Sequence, residues 1–249
     1  MHVKLKKRFG QNFLIDKNIL NKIFNLINQK NLDILEIGPG SGNLTEYILK
    51  TNPKKLTLIE IDKHLSKNLE IKFQNIDFID IINIDFLEKN TILDKNFDII
   101  ISNLPYNISS QILIKLTKIQ NRSKRMILMF QKEFADRLLE RNLNSLNSFV
   151  KCFYKIEKKF EVSNKSFFPS PKVKSTILEF NLLNNFLINQ KDIDSFIEFK
   201  RNIFNNKRKT IGSIIKRIYN IDVYKDYSLL RAENLSLNEF TNLYFKINP

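Results

Sequence analysis

Four consecutive residues of this 249-residue chain, Asn103-Leu104-Pro105-Tyr106, bring together an amide oxygen, main-chain carbonyls and an aromatic ring. They end a short apolar segment, Phe97 to Ser102, that reads as a buried strand. An amine on an adenine ring is a poor nucleophile because its lone pair is delocalised into the ring. The Asn103 side-chain oxygen and the carbonyl of Leu104 or Pro105 can hold both amine hydrogens and favour a pyramidal nitrogen whose lone pair points at a methyl group. Tyr106 offers a stacking face to a base swung out of its helix. No general base is needed first, because the proton is lost from a charged, acidic product. The same tetrapeptide is also a competent turn, and Tyr106 can simply cap the core.

A donor site is therefore needed. Three of the five glycines in the chain, Gly38, Gly40 and Gly42, fall within Leu35-Glu36-Ile37-Gly38-Pro39-Gly40-Ser41-Gly42. A strand-like segment, Leu32 to Ile37, precedes them and a helical one, Asn43 to Lys50, follows. Bare backbone at a strand-to-helix turn lets a ligand approach closely. Dinucleotide sites favour Gly-x-Gly-x-x-Gly. The Glu-x-Gly-x-Gly-x-Gly order here resembles the first motif of S-adenosylmethionine-dependent methyltransferases. Glu60 ends the next strand at the distance where a carboxylate accepts from ribose hydroxyls. Asp85 ends the one after, where it can accept from an adenine amine with Phe86 as an apolar wall. Either acid alone also suits a surface or a cap; together they outline an adenosine.

Elements must position these groups. Strands are predicted at Lys55 to Glu60, Ile79 to Asp85, Phe97 to Asn103, Arg125 to Phe130, Cys152 to Phe160 and Thr176 to Asn181, with helices at Lys63 to Phe73, Ser109 to Gln120 and Lys132 to Arg141. The alternation predicts an α/β, mostly parallel, doubly wound sheet with ligands at the carboxyl ends of its strands and an antiparallel edge at the last strands. Beyond Asn181 apolar residues recur at helical spacing, as in Ile193, Phe196, Ile197 and Ile203. Residues 1–181 are thus read as one domain and 182–249 as a small helical one.

Composition narrows the partners. The net charge is +15, and its distribution is uneven: residues 38–112 carry 8 Lys/Arg against 10 Asp/Glu, whereas residues 113–174 carry 15 against 5. A near-neutral cofactor half followed by a strongly basic one suits docking on phosphates. The only cysteine is Cys152, and His2 and His64 lack ligand spacing, so neither a disulfide nor a metal site is expected. No apolar run approaches a membrane span and no signal-peptide core follows Met1, so a cytoplasmic protein without a membrane partner is expected.

Asn103-Leu104-Pro105-Tyr106-Asn107-Ile108-Ser109-Ser110 is similar to the fourth motif of the small-subunit rRNA dimethyladenosine transferases. Further ordered matches are Arg8 to Leu14, the glycine turn, Ile59-Glu60-Ile61-Asp62, Asp85, Gln131-Lys132-Glu133, Phe167 to Ser175, Lys207 to Thr210 and Arg231 to Ser236. The resemblance implies a Rossmann-like class I methyltransferase domain with a helical C-terminal domain that binds RNA. It also implies transfer from S-adenosylmethionine to N6 of two adjacent adenosines near the 3′ end of small-subunit rRNA, on the immature small ribosomal subunit, by a monomer. Asn12, Leu14, Gly38, Gly40, Glu60, Asp85 and Asn103 would line the cofactor site, with residues 11 and 12 closing over it. Asn103, Leu104, Pro105 and Tyr106 would serve catalysis, with Phe167 as a second aromatic against the base. One stretch departs: where the family usually carries a Tyr-Gly-Arg-Leu-Ser-Val type segment, residues 144–149 read Asn-Ser-Leu-Asn-Ser-Phe, without the Arg and Gly.

Two other functions use the same features. A sister class methylates a large-subunit rRNA adenine and confers antibiotic resistance; it usually has isoleucine where Leu104 stands. An assembly or transcription factor that kept the fold without catalysis would still bind RNA or DNA, but the intact glycine turn and Asn103 to Tyr106 argue against such loss. DNA adenine methylation would leave the C-terminal motifs unexplained.

Overall fold

The computed structural model describes residues 11–88, 95–206, 208–222 and 228–248. The described residues begin with β1 (Phe13–Leu14), α1 (Lys17–Ile27), β2 (Asp33–Ile37), α2 (Asn43–Leu49), β3 (Lys55–Ile59), α3 (Lys63–Lys72) and β4 (Ile79–Ile82). It continues through β5 (Ile99–Asn103), α4 (Ser109–Lys118), β6 (Arg125–Gln131), α5 (Lys132–Leu139), α6 (Asn147–Val150), β7 (Tyr154–Val162), β8 (Phe167–Phe168) and β9 (Ser175–Leu182). Helices α7 (Ile193–Phe204), α8 (Ile211–Tyr219) and α9 (Leu237–Ile247) follow.

Seven strands form one sheet in the order β4-β3-β2-β5-β6-β9-β7, while β1 and β8 make a separate two-stranded ribbon. Strand β2 pairs in parallel with both β3 and β5. From there the chain winds outward through β3 to β4 on one side and through β5 to β6 on the other, so the order reverses between β2 and β5. Ligand crevices of doubly wound sheets open at that reversal, beyond the carboxyl ends of the strands. Strand β9 runs antiparallel to β6, one strand further in than the edge pair of β7 and β9 at which the sequence predicts the change of direction. This is the doubly wound α/β sheet that the strand and helix alternation predicts and the Rossmann-like architecture that the resemblance implies.

Strand alternation puts Ile34, Leu56, Ile99 and Ile127 into one buried cluster with Ile23 and Ile27 of α1, Ile48 of α2 and Leu69 of α3. Helix α1 is absent from the sequence-based assignment, although its signals are readable. Asp16 accepts from the N–H groups of Asn18 and Ile19, and Ile19, Ile23 and Ile27 recur at four-residue spacing on the buried face. Its far end is closed by Arg125, which donates to the carbonyls of Leu26 at 2.6 Å and Ile27 at 3.3 Å and pairs with Glu179.

Two compact units result: Met1–Ala135 with Glu157–Leu182, and Asp136–Ile156 with Leu183–Pro249. In the second, Phe196 and Phe199 of α7 pack edge-on or tilted against Phe240 and Tyr244 of α9. The divergent 144–149 segment belongs to this unit and is held by asparagines. Asn147 is fully buried; its oxygen accepts from Asn144 N–H at 2.8 Å and its amide donates to the carbonyls of Asn142 and Glu140 at 3.0 and 3.3 Å. Lys200 of α7 donates to the Ser145 carbonyl at 2.6 Å, which ties the segment to the C-terminal helices.

Candidate active site

The glycine turn leaves β2 beside the β5 carboxyl end. Gly38, Gly40 and Gly42 all have positive φ, from 60° to 76°. That conformation suits residues without a Cβ, and at Gly40 the space is taken as well: a Cβ would lie 2.7 Å from the Phe13 ring. A Cβ at Gly38 would meet no atom within 4 Å, so the turn there faces open cavity. Across the reversal, Ser102 Oγ donates to the Ile37 carbonyl at 2.5 Å, pinning the end of β5 to the end of β2.

Around this turn one cavity is bordered by Asn12, Leu14, Gly38, Gly40, Glu60 and Asp85, and also by Asn103, Leu104, Pro105 and Tyr106. The N-terminal segment reaches it as a strap. Gln11 donates to the Asp62 carboxylate at 3.4 Å, the Leu14 carbonyl accepts from Asn43 at 2.9 Å, and the Asn12 carbonyl accepts from the Asn103 amide at 2.9 Å. The last bond fixes the amide: its nitrogen is engaged, and its oxygen is the acceptor left for a ligand. The Pro105 carbonyl accepts from Ile108 N–H at 3.2 Å within the turn. Tyr106 is half-buried, its hydroxyl 2.6 Å from Ser175 Oγ, and burial raises its pKa.

The acids differ in environment. Glu60 is buried and accepts from Gly40 N–H at 3.0 Å and Asp62 N–H at 2.9 Å, so it braces the turn that it faces. Burial raises its pKa against those two bonds. Asp85 is half-buried, with Oδ1 accepting from Leu87 N–H at 2.8 Å, beside the buried ring of Phe86.

Glu36, quoted above only as part of a motif, also borders the cavity. It is 1% exposed and accepts from the Thr45 hydroxyl at 2.7 Å. Burial pushes its carboxyl up to about 8, with the nearby Glu60 adding to the rise and the Thr45 bond opposing it.

Phe167 lies elsewhere. Strand β8 pairs with β1 so that Leu14 opposes Phe167 and Phe13 opposes Phe168. Directly paired residues share a face: Leu14 and Phe167 both enter the buried core, whereas Phe168 is 61% exposed. The Phe167 ring does not border the cavity. Arg8, Phe9, Gly10 and Lys207, which belong to two of the sequence motifs, lie outside the described residues.

Known proteins resemble the chain over nearly its whole length. A sequence model of the family described as Ribosomal RNA adenine dimethylase aligns with residues 2–241. The Ribosomal RNA small subunit methyltransferase A of Mesoplasma florum is 36% identical, covering 99% of each chain, and that of Pelagibacter ubique is 38% identical over 99% of this chain and 97% of its own. A crystal structure of a dimethyladenosine transferase from Plasmodium falciparum superposes with a TM-score of 0.82 at 30% identity, covering 95% of this chain and 97% of that one.

Proposed function

The chain belongs to the ribosomal RNA adenine dimethylase family, and from that membership we propose that it methylates N6 of two adjacent adenosines near the 3′ end of small-subunit rRNA, giving dimethyladenosines during ribosome biogenesis. The methyl donor in this reading is S-adenosylmethionine, which supplies an electrophilic methyl group on a sulfonium. The residues present fit it: the turn at Gly38 meets no atom within 4 Å of a Cβ position, and Glu60 and Asp85 border the same cavity. Asn12 and Leu14 would cover the donor, Gly38 and Gly40 would admit it to the main chain, Glu60 would face its ribose and Asp85 its adenine amine.

The observation that carries the reading is the orientation of Asn103. With its nitrogen donating to Asn12, its oxygen accepts one hydrogen of the target amine. The carbonyl of Leu104 or of Pro105 takes the other; the Pro105 oxygen also accepts from Ile108 N–H, which leaves it a second lone pair. Both acceptors draw electron density toward the nitrogen and favour a pyramidal amine. Tyr106 supplies the stacking face. No role in this step is given to Phe167, whose ring is in the core.

Residues 1–181 would carry methyl transfer and 182–249 would dock on RNA, on an immature small subunit in the cytoplasm, with the enzyme acting as a monomer. No helix among the described residues is long and apolar enough to cross a membrane. Incubation with methyl-labelled S-adenosylmethionine and immature small subunits tests the reading. Label is expected in N6,N6-dimethyladenosine of the small-subunit rRNA. Label confined to large-subunit rRNA would transfer the chain to the sister class. RNA binding without cofactor binding in calorimetry would make it an assembly factor.

A further inference from the structure

Helix α4 follows directly on the loop that holds the target amine, and one face of it turns toward the loop after β4. Ile108, just before α4, and Ile112 border the cavity, as do Asp85 and Phe86. Lys115, one turn beyond Ile112, donates from Nζ to the Phe86 carbonyl at 2.6 Å and to the Leu87 carbonyl at 2.9 Å. The same ammonium lies 5.3 Å from the centre of the Phe86 ring. Asp85 braces this loop from within, through Oδ1 to Leu87 N–H. The short turn after β4 is thus gripped at successive main-chain groups by a carboxylate on one side and an ammonium on the other. Burial lowers the pKa of Lys115, and the Asp85 charge opposes that fall.

Building on the proposed function, we infer that Lys115 is a positioning residue for the cofactor: by holding the carbonyls of Phe86 and Leu87, it sets Asp85 and the Phe86 ring to recognise the adenine of S-adenosylmethionine, and it ties that recognition to the helix that follows the catalytic loop. A bond from a charged donor is directional and strong. A neutral side chain of similar length fills the same space and drops both carbonyls. Asp85 then loses its fixed orientation toward the adenine amine, while the ribose and amino acid subsites are untouched.

Calorimetry on the full chain tests this with S-adenosylhomocysteine and with its inosine counterpart, in which a carbonyl replaces the adenine amine. In the wild type, tight S-adenosylhomocysteine binding and a preference for it over the inosine form are expected. Lys115→Met should weaken S-adenosylhomocysteine by about tenfold, the loss expected for a charged hydrogen bond, and should shrink the preference. Lys115→Arg should restore much of both. Equal affinities in wild type and Lys115→Met overturn the inference, as does weaker binding with the preference intact, which is the mark of general destabilisation. If Lys115→Met does not fold, Lys115→Leu, which also has no donor, is judged by the same ratio. A wild type that binds neither ligand overturns the reading of the site itself, a result distinct from any difference among the variants.

Discussion

The Asn103 side chain donates its amide nitrogen to the Asn12 main-chain carbonyl at 2.9 Å, so one residue both closes the N-terminal strap and presents an acceptor to the cavity. Asn103→Ala removes that acceptor without emptying core space, since the residue is only half-buried. Loss of one preorganised group that stabilises developing charge costs about 10²- to 10³-fold in kcat. Single-turnover methylation should fall by that order with the unfolding midpoint nearly unchanged. Asn103→Asp tests the second half of the relationship: it keeps acceptor oxygens but has nothing to donate to Asn12. An Asn103→Ala enzyme with wild-type turnover would remove this residue from the mechanism.

Glu36 makes stability depend on pH. Its carboxyl is held up to about 8 by burial, against a usual value of 4.5 in the unfolded chain. Between those values the folded state keeps a proton that the unfolded state has released, so the unfolded state binds fewer protons and stability falls as pH rises. The contribution is fully present below the unfolded value and is lost by the time pH passes the folded one. Glu36→Gln has no such loss. Urea unfolding should show the variant gaining on the wild type as pH rises from 5 to 8, at up to about 1.4 kcal/mol per pH unit. A constant difference across that range would mean that Glu36 is ionised in the fold.

The two phenylalanines of β8 separate packing from surface. Phe167 is 3% exposed and Phe168 is 61% exposed. Truncating a buried aromatic side chain to alanine costs about 3–5 kcal/mol, while exposed positions change stability by about 0.5 kcal/mol or less. Denaturant titration of Phe167→Ala and Phe168→Ala should reproduce that contrast. Equal losses would contradict the face assignment of the ribbon.

These two residues also mark how far the sequence could be read. The sheet strands were legible because apolar runs, turn residues and carboxylates at strand ends are local signals. The glycine turn, Glu60, Asp85 and Asn103 follow from them, since strand ends on one sheet share an edge. The β1 and β8 ribbon pairs residues about 150 positions apart through two short strands, and two residues carry no periodicity. Which of Phe167 and Phe168 turns inward is set by that long-range register. Lys115 and Glu36 were hidden for a related reason: a lysine on a helix and a carboxylate in a strand acquire meaning only from partners brought by the fold, Phe86 and Leu87 for one and Thr45 for the other.

Asn147 replaces chemistry with architecture in the divergent segment. Its fully buried amide bonds to main-chain groups of Asn142, Glu140 and Asn144. Asn147→Ala removes a buried side chain that bonds the Asn144 N–H and the Asn142 carbonyl, at about 1 kcal/mol for each bond lost, while the Glu140 carbonyl keeps its bond from Lys151. A clear fall in thermal midpoint is expected, with cofactor affinity unaltered. If the midpoint stayed at the wild-type value, water would have to reach the groups left unpaired.

The helical unit makes a prediction that only salt can test. Residues 182–249 carry 11 Lys/Arg against 7 Asp/Glu, and Arg208 and Lys209 are exposed just before α8. Each cation that neutralises an RNA phosphate releases condensed counterions, so affinity falls with salt at a slope of roughly 0.7–0.9 per contact. Replacing Arg208 and Lys209 together by alanine should therefore weaken binding to immature small subunits most at low salt, and flatten the plot of log affinity against log salt by about 1.5. The two lines should converge as salt rises, because exposed charges are then screened. Parallel lines would mean that the double variant lost packing or a neutral contact. Coincident lines would leave Arg208 and Lys209 as solvated surface, with the basic residues between 113 and 174, 15 Lys/Arg in all, as the remaining candidates for the phosphate contacts.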